Sequence, residues 1–248
     1  TSTGVLTPVE DFGKMLKNYP DTLFLVDTVT SLGGHPVKVD EWGIDICYSG
    51  TQKCLSCPPG LAPITFPARA LKKIQGRAKK VQSWYLDMNM VGKYWGNERT
   101  YHHTAPISMN YALLEALRVI DQEGLEKRYE RHRRNHLALA RGIEAMGLKM
   151  FVAEPYRQWS LNTVSIPQGI DDAKARKTLL EEYNLEIGGG LGPLKGKIWR
   201  VGLMGYSSSE TNVLYFLTAL EQTLREQGFE VPKGTGVTAA RDFYAKNR

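Results

Sequence analysis

Apolar positions change their period along this chain, and the changes predict its elements. Phe12, Met15 and Leu16 fall at helical spacing, which predicts a short helix over 11–17. Leu23, Phe24, Leu25 and Val26 then form an unbroken apolar run between Asp21 and Asp27. A run that short, bounded by polar residues, predicts a buried strand of an α/β sheet. Ile44, Asp45, Ile46, Cys47 and Tyr48 predict a second strand, closed by Ser49 and Gly50, and 62–66 predicts a third. Pro63 puts that third strand at an edge or makes its start irregular. Ala112, Leu113, Ala116, Leu117 and Ile120 predict a long helix over 108–122, and a second long helix over 125–146 stops at Gly147.

Beyond Gly147 the texture changes. Short strands are expected over 148–152, 162–166, 185–187 and 198–203, with helices over 171–183 and 209–227. The first part reads as α/β and the second as α+β, with the boundary between the two long helices. The tail from Gly228 is Gly- and Lys-rich and is expected to drape over the surface. No internal repeat or low-complexity segment stands out.

Composition narrows the class without choosing a function. Hydrophobic residues make up 42% and charged residues 23%, which excludes disordered and collagen-like chains. A length of 248 residues is enough to bury a core. The formal charge of +6 matters only through its placement. One basic stretch holds Arg69, Lys72, Lys73, Arg77, Lys79 and Lys80, and another holds Arg128, Arg131, Arg133 and Arg134. Neither is interleaved with aromatic residues, so both read as solvated faces and no nucleic-acid partner is expected. Cys47, Cys54 and Cys57 are odd in number and lack a disulfide framework. Cys54-Leu55-Ser56-Cys57 has CxxC spacing, yet no second pair completes a zinc site, and Pro58-Pro59-Gly60 stands where a redox motif would start a helix. No apolar run approaches the ~20 residues of a membrane span, so no membrane is expected and the cytoplasm is the default location. The chain opens at Thr1 rather than Met, which reads as the interior of a longer protein.

Two residues carry the chemistry. Asp27 sits at the carboxyl end of the first predicted strand, and Lys53 lies just past the second, behind a Gly turn. Ligands of open α/β sheets bind outside those carboxyl ends. Pyridoxal 5′-phosphate needs a lysine amine at its aldehyde and an anion at its pyridine nitrogen. With that nitrogen protonated the ring draws electrons from the substrate α-carbon, and the displaced lysine can shuttle the proton. An exposed loop lysine and a helix-capping aspartate would give the same pair, so the residues alone leave both readings open. His102 and His103 are adjacent on an extended segment and should point opposite ways, with no third ligand evident, so no metal is expected. The glycines of 188–192 do not fit GxGxxG and read as a flexible loop beside the site. Arg200 lies between Trp199 and Val201 in an apolar strand, where a guanidinium suits a carboxylate, although an ordinary strand arginine would look alike.

The order of several motifs adds to this. They are Leu25-Val26-Asp27-Thr28-Val29-Thr30-Ser31-Leu32-Gly33-Gly34, Gly43-Ile44-Asp45, Tyr48-Ser49-Gly50-Thr51-Gln52-Lys53 and Pro58-Pro59-Gly60. Tyr101-His102-His103-Thr104, Gly188-Gly189-Gly190-Leu191-Gly192 and Arg200-Val201-Gly202 follow. Together they resemble the class V aminotransferases of pyridoxal-phosphate fold type I, and within them the alanine–glyoxylate and serine–glyoxylate (serine–pyruvate) enzymes. The resemblance covers nearly the whole chain up to about Gln227. It implies an α/β fold in which 1–125 is the later part of a large, cofactor-binding domain with a mixed, mostly parallel sheet. It makes 126–248 a C-terminal α+β small domain.

The resemblance also implies roles. Lys53 would be the Schiff-base lysine and Asp27 the partner of the pyridine nitrogen. Val29 would pack on one face of the ring, Ser2 would lie near its phenolic oxygen, and Gln52 would reach the phosphate. Tyr101 and Thr104 would reach the phosphate of the other subunit, making a homodimer with shared sites. Arg200 would clamp the substrate carboxylate. The implied reaction moves an amino group from alanine or serine to glyoxylate or a similar small 2-oxo acid by a ping-pong route. Relatives with other donors, such as aminoethylphosphonate, hydroxykynurenine or ureidoglycine, remain an alternative. A desulfurase would need a mobile cysteine, and Cys54 is badly placed for that. The family's phosphate-cradling Gly turn, its stacking aromatic ring and its N-terminal arm match positions upstream of Thr1. A catalytically incomplete fragment or structural partner is therefore the remaining alternative.

Overall fold

The computed structural model describes residues 1–247. Helix α1 (Val9–Leu16) leads into the first sheet and lays Gly13 against Trp42, where a Cβ would overlap the Trp42 carbonyl oxygen. Strand β1 (Leu25–Asp27) pairs in parallel with β2 (Ile46–Tyr48), matching Asp27 with Tyr48. Strand β3 (Ile64–Thr65) adds antiparallel to β2, so the sheet is mixed with order β1-β2-β3. Val26, Ile44 and Cys47 form its buried centre. The first two strands are shorter than their apolar runs because Asp45 interrupts the ladder. Its buried carboxylate accepts from Phe24 N at 2.8 Å and pairs with Arg69 at 2.7 Å.

Helices α2 (Ala68–Gln75) and α3 (Met88–Trp95) follow in a stretch where the sequence predicted no elements. Both are eight residues long. Asp87 caps α3 by accepting from Asn89 N at 2.9 Å. The long helices are α4 (Ile107–Glu123) and α5 (Leu125–Ala145), and Gly124 alone joins them, with φ 82° in the left-handed region.

Strands β4 (Lys149–Met150) and β5 (Leu161–Ser165) precede α6 (Asp172–Tyr183). Then come β6 (Gly188–Gly189), β7 (Ile198–Gly202), α7 (Glu210–Glu226) and α8 (Thr235–Lys246). The second sheet is antiparallel with order β4-β5-β7-β6. The strand expected over 185–187 forms instead at Gly188–Gly189. Leu139 and Ile143 of α5, Trp199 of β7, and Leu217, Leu220 and Leu224 of α7 are fully buried at the centre of this half.

The tail does not drape over the surface. Helix α8 packs on α5, burying Gly236, Ala240 and Tyr244. Two glycines permit the approach: a Cβ on Gly142 would lie 2.9 Å from the Gly236 carbonyl oxygen. Tyr244 donates to Asn135 Oδ1 at 2.8 Å, which satisfies both buried groups.

Candidate active site

Asp27 ends β1, and the parallel register sets Tyr48 beside it. Both carboxylate oxygens are held, Oδ1 by Val29 N at 2.8 Å and Oδ2 by the Tyr48 hydroxyl at 2.8 Å. That hydrogen bond raises the Tyr48 phenol above its ordinary range, so it stays a donor. Thr28 binds the two strand ends together, its N–H and hydroxyl both donating to Tyr48 O at 2.9 and 2.7 Å.

Lys53 is half-buried on the turn after β2. Thr51, itself buried, shapes that turn by donating to Pro58 O at 2.9 Å, and Ser56 N closes it on Lys53 O at 2.9 Å. The Lys53 amine makes no hydrogen bond or ion pair with the described residues. The next residue, Cys54, is fully buried, and burial pushes its thiol up to about 11. A thiol held protonated in this way is a poor nucleophile at neutral pH.

Arg200 lies on β7, where its Nε donates to Gly189 O at 2.7 Å. Its two terminal nitrogens make no hydrogen bond with the described residues. Strand β6 supplies a floor without side chains, since a Cβ on Gly188 would lie 3.2 Å from Arg200 Nη2. The glycine stretch is therefore paired backbone beside the site at Gly188–Gly189, rather than a flexible loop.

Ser2, Asp27, Val29, Lys53 and Arg200 line one cleft of about 560 Å³, with Phe12, Phe24, Leu161 and Met204 giving it an apolar wall. A smaller cavity of about 290 Å³ shares Asp27 and Thr30 and is lined by His35 and Gln158. The other candidates lie elsewhere. Gln52 is exposed, with its amide folded back over Gly50. Tyr101 and Thr104 are exposed between α3 and α4 and bond to each other at 3.0 Å. His102 and His103 do not point apart. Their Nδ1 atoms meet at 2.7 Å, while His102 stacks on Trp84 with centroids 4.1 Å apart. The segment forms no strand, so the alternation of an extended ladder does not apply.

The donor set fits one end of pyridoxal phosphate. An unengaged amine, a carboxylate held by two donors and a guanidinium with open terminal nitrogens face a common space. Beyond those groups the cleft wall carries the hydroxyls of Thr1, Ser2, Thr7 and Thr30 and no further cationic side chain among the described residues.

Two features were not read from the sequence. Tyr48 became visible only through the strand register. The second basic stretch also proves not to be a solvated face, because Arg128 is buried and Arg131 is half-buried. Their guanidiniums meet at Glu123, with Arg128 Nη1 at 2.6 Å and Arg131 Nε at 2.5 Å.

Among known families, the model described as "Aminotransferase class-V" matches residues 1–210. The (S)-ureidoglycine–glyoxylate transaminase of Bacillus subtilis is 42% identical over 262 residues, covering 98% of this chain and 63% of its own. The crystal structure of a ureidoglycine–glyoxylate aminotransferase from the same organism superposes with a TM-score of 0.95 at 44% identity, over 98% of this chain and 63% of that one. The alanine–glyoxylate aminotransferase structure from Nostoc gives a TM-score of 0.87 at 52% identity, over 90% of this chain and 59% of that one. The chain thus spans about three fifths of the length of the proteins it matches.

Proposed function

The chain belongs to the class V aminotransferases, of the α/β fold type I, and on that premise we propose that it carries the lysine-bearing part of a glyoxylate aminotransferase. The donor in this reading is alanine or serine, the acceptor is glyoxylate or a similar small 2-oxo acid, and the cofactor is pyridoxal 5′-phosphate. The observation that carries it is the convergence of Lys53, Asp27 and Arg200 on one cleft. The Bacillus and Nostoc relatives are both named for glyoxylate, which supports the acceptor.

When bound, the cofactor supplies a carbon that takes up the amino group and a ring that accepts electrons from the substrate α-carbon. Lys53 Nζ would hold the cofactor and, when free, would take the α-proton and return it. Asp27 holds a proton at the pyridine nitrogen, and Val29 N and Tyr48 keep its carboxylate oriented for that. Val29 would pack on a ring face, and Ser2 would stand near the phenolic oxygen. The terminal nitrogens of Arg200 receive the substrate carboxylate in a two-pronged hydrogen bond. The apolar wall of Phe24, Leu161 and Met204 limits water around these charges.

Gln52 serves the phosphate in this reading, and Tyr101 and Thr104 serve the phosphate of a second copy in a homodimer. Support comes from large apolar side chains left exposed beside that segment: Trp84, Tyr85, Trp95, Ile107 and Tyr111. The three free, buried thiols suit a cytoplasmic setting. No described helix is long and apolar enough to cross a membrane.

The test is the visible absorbance and turnover of the full-length protein. Lys53→Ala should lose the cofactor band and glyoxylate-dependent transamination, and retention of both would reject the reading. Ureidoglycine is the second donor reading, favoured by the similarity to the Bacillus enzyme over 98% of this chain. Side-by-side rates with alanine, serine and ureidoglycine decide between them.

A further inference from the structure

The loop carrying Lys53 and the turn that follows the Arg200 strand are fastened together through one carboxylate. Arg128 grips the first side: Nε donates to Gly33 O at 2.8 Å and Nη2 to Cys54 O at 2.6 Å. Arg131 grips the second: Nη1 donates to Gly205 O at 2.9 Å and to Ser208 O at 2.5 Å. Glu123 joins the two guanidiniums, accepting from Arg128 Nη1 at 2.6 Å and from Arg131 Nε at 2.5 Å. Burial alone would raise the Glu123 carboxyl, but hydrogen bonds from Arg131 and Arg128 outweigh it and hold the group below the usual range. Glu123 is therefore charged at neutral pH.

The two sides also touch directly. Tyr206 N donates to Ser56 Oγ at 2.9 Å, while Gly205 N is tied separately to α5, donating to His132 Nε2 at 2.9 Å. A Cβ on Gly205 would overlap Ser56 Oγ and lie 2.7 Å from Cys54 O. The targets of both arginines are backbone carbonyls, so the grip reads chain position rather than side-chain identity. Cys54 is the residue after Lys53, and Gly205 follows Arg200 by five positions along the chain.

We infer that Glu123, Arg128, Arg131 and Ser56 are positioning residues that fix the span between the Lys53 amine and the Arg200 guanidinium, an inference that rests on the transaminase reading. A substrate whose carboxylate is next to its amine must reach both groups at once. A misplacement of 1 Å between them costs rates on the order of a hundredfold. A reagent with no carboxylate meets only the Lys53 side and is indifferent to the span.

Two reagents separate these cases in the full-length, cofactor-loaded protein. Aminooxyacetate and O-methylhydroxylamine both displace the lysine amine from the cofactor, but only the first has a carboxylate. Displacement is followed by the change in visible absorbance. In Glu123→Gln the aminooxyacetate rate should fall about tenfold while the O-methylhydroxylamine rate stays within about twofold. Ser56→Ala removes the acceptor of Tyr206 N together with a 3.5 Å bond from the hydroxyl to Cys54 O, and should shift the same ratio in the same direction by less, which covers the case of Glu123→Gln failing to fold. Equal loss with both reagents, or no change in the ratio in either variant, overturns the inference. Arg200→Ala marks the limit at which the preference for aminooxyacetate disappears. If Arg200→Ala keeps that preference, or the parent protein shows no cofactor band, the transaminase reading itself fails and the inference falls with it.

Discussion

Asp27 is held at both oxygens before any ligand arrives, one by a backbone N–H and one by a phenol. A hydrogen bond to a charged group is worth about 1.5–3 kcal/mol, and the lower end is roughly a tenfold change in binding. Tyr48→Phe in the full-length protein should therefore weaken cofactor retention about tenfold with the fold intact, as read by equilibrium dialysis against circular dichroism. Residues of this kind differ in how legible they are from sequence. Asp27, Lys53 and Arg200 stood out by their places at strand ends or in an apolar strand, but those places alone left ordinary readings open, and the order of the surrounding motifs gave them their expected roles. Tyr48 is an ordinary strand residue until the register puts it opposite Asp27. Where Gln52 points was not legible at all, because a turn side chain takes its direction from neighbours that a linear pattern does not specify.

At the scale of elements, helix α5 organises the C-terminal half. It buries His132 and His136 as neutral rings, and burial pushes both down to about 4. His136 Nδ1 donates to Asn162 Oδ1, whose amide is oriented by its own bond to Trp159 O at 3.2 Å. The usual value in an unfolded chain is near 6.5, so below that pH the unfolded state binds more protons than the folded one. The stability these rings contribute is complete above about 6.5 and is lost as pH falls toward 4, on the order of 3 kcal/mol for each ring. Urea midpoints should drop across that window, and His136→Gln should flatten the drop. A 3.6-residue period over Ala112, Leu113, Ala116, Leu117 and Ile120 made α4 legible and Gly147 marked the end of α5, whereas α8 was missed. Its contact face is Gly236, Ala240 and Tyr244, a spacing of four with little hydrophobicity, and the tight glycine contact with Gly142 gives no signal until both helices are in place.

At the scale of the molecule, Lys53 and Arg200 are the only cationic side chains among the described residues that line the cleft. The chain spans 63% of the length of the Bacillus relative. On the transaminase reading, residues 1–248 alone should bind pyridoxal phosphate at least about a hundredfold more weakly than a protein spanning the whole length of the relatives, since charge-assisted phosphate hydrogen bonds are among the strongest available. An absorbance titration of both proteins measures this, and equal affinities would show that the phosphate is held within these residues.

Gly124 is the only residue between two long helices, and a lone glycine at a corner invites bending. The last residue of the first helix is Glu123, and both arginines that hold it lie in the first two turns of the second. The corner is braced as a bracket is braced across its inside angle. A tilt of the C-terminal half would therefore be carried through into α4 as through a crank, and any slack between the halves must sit in the loops instead of at this elbow.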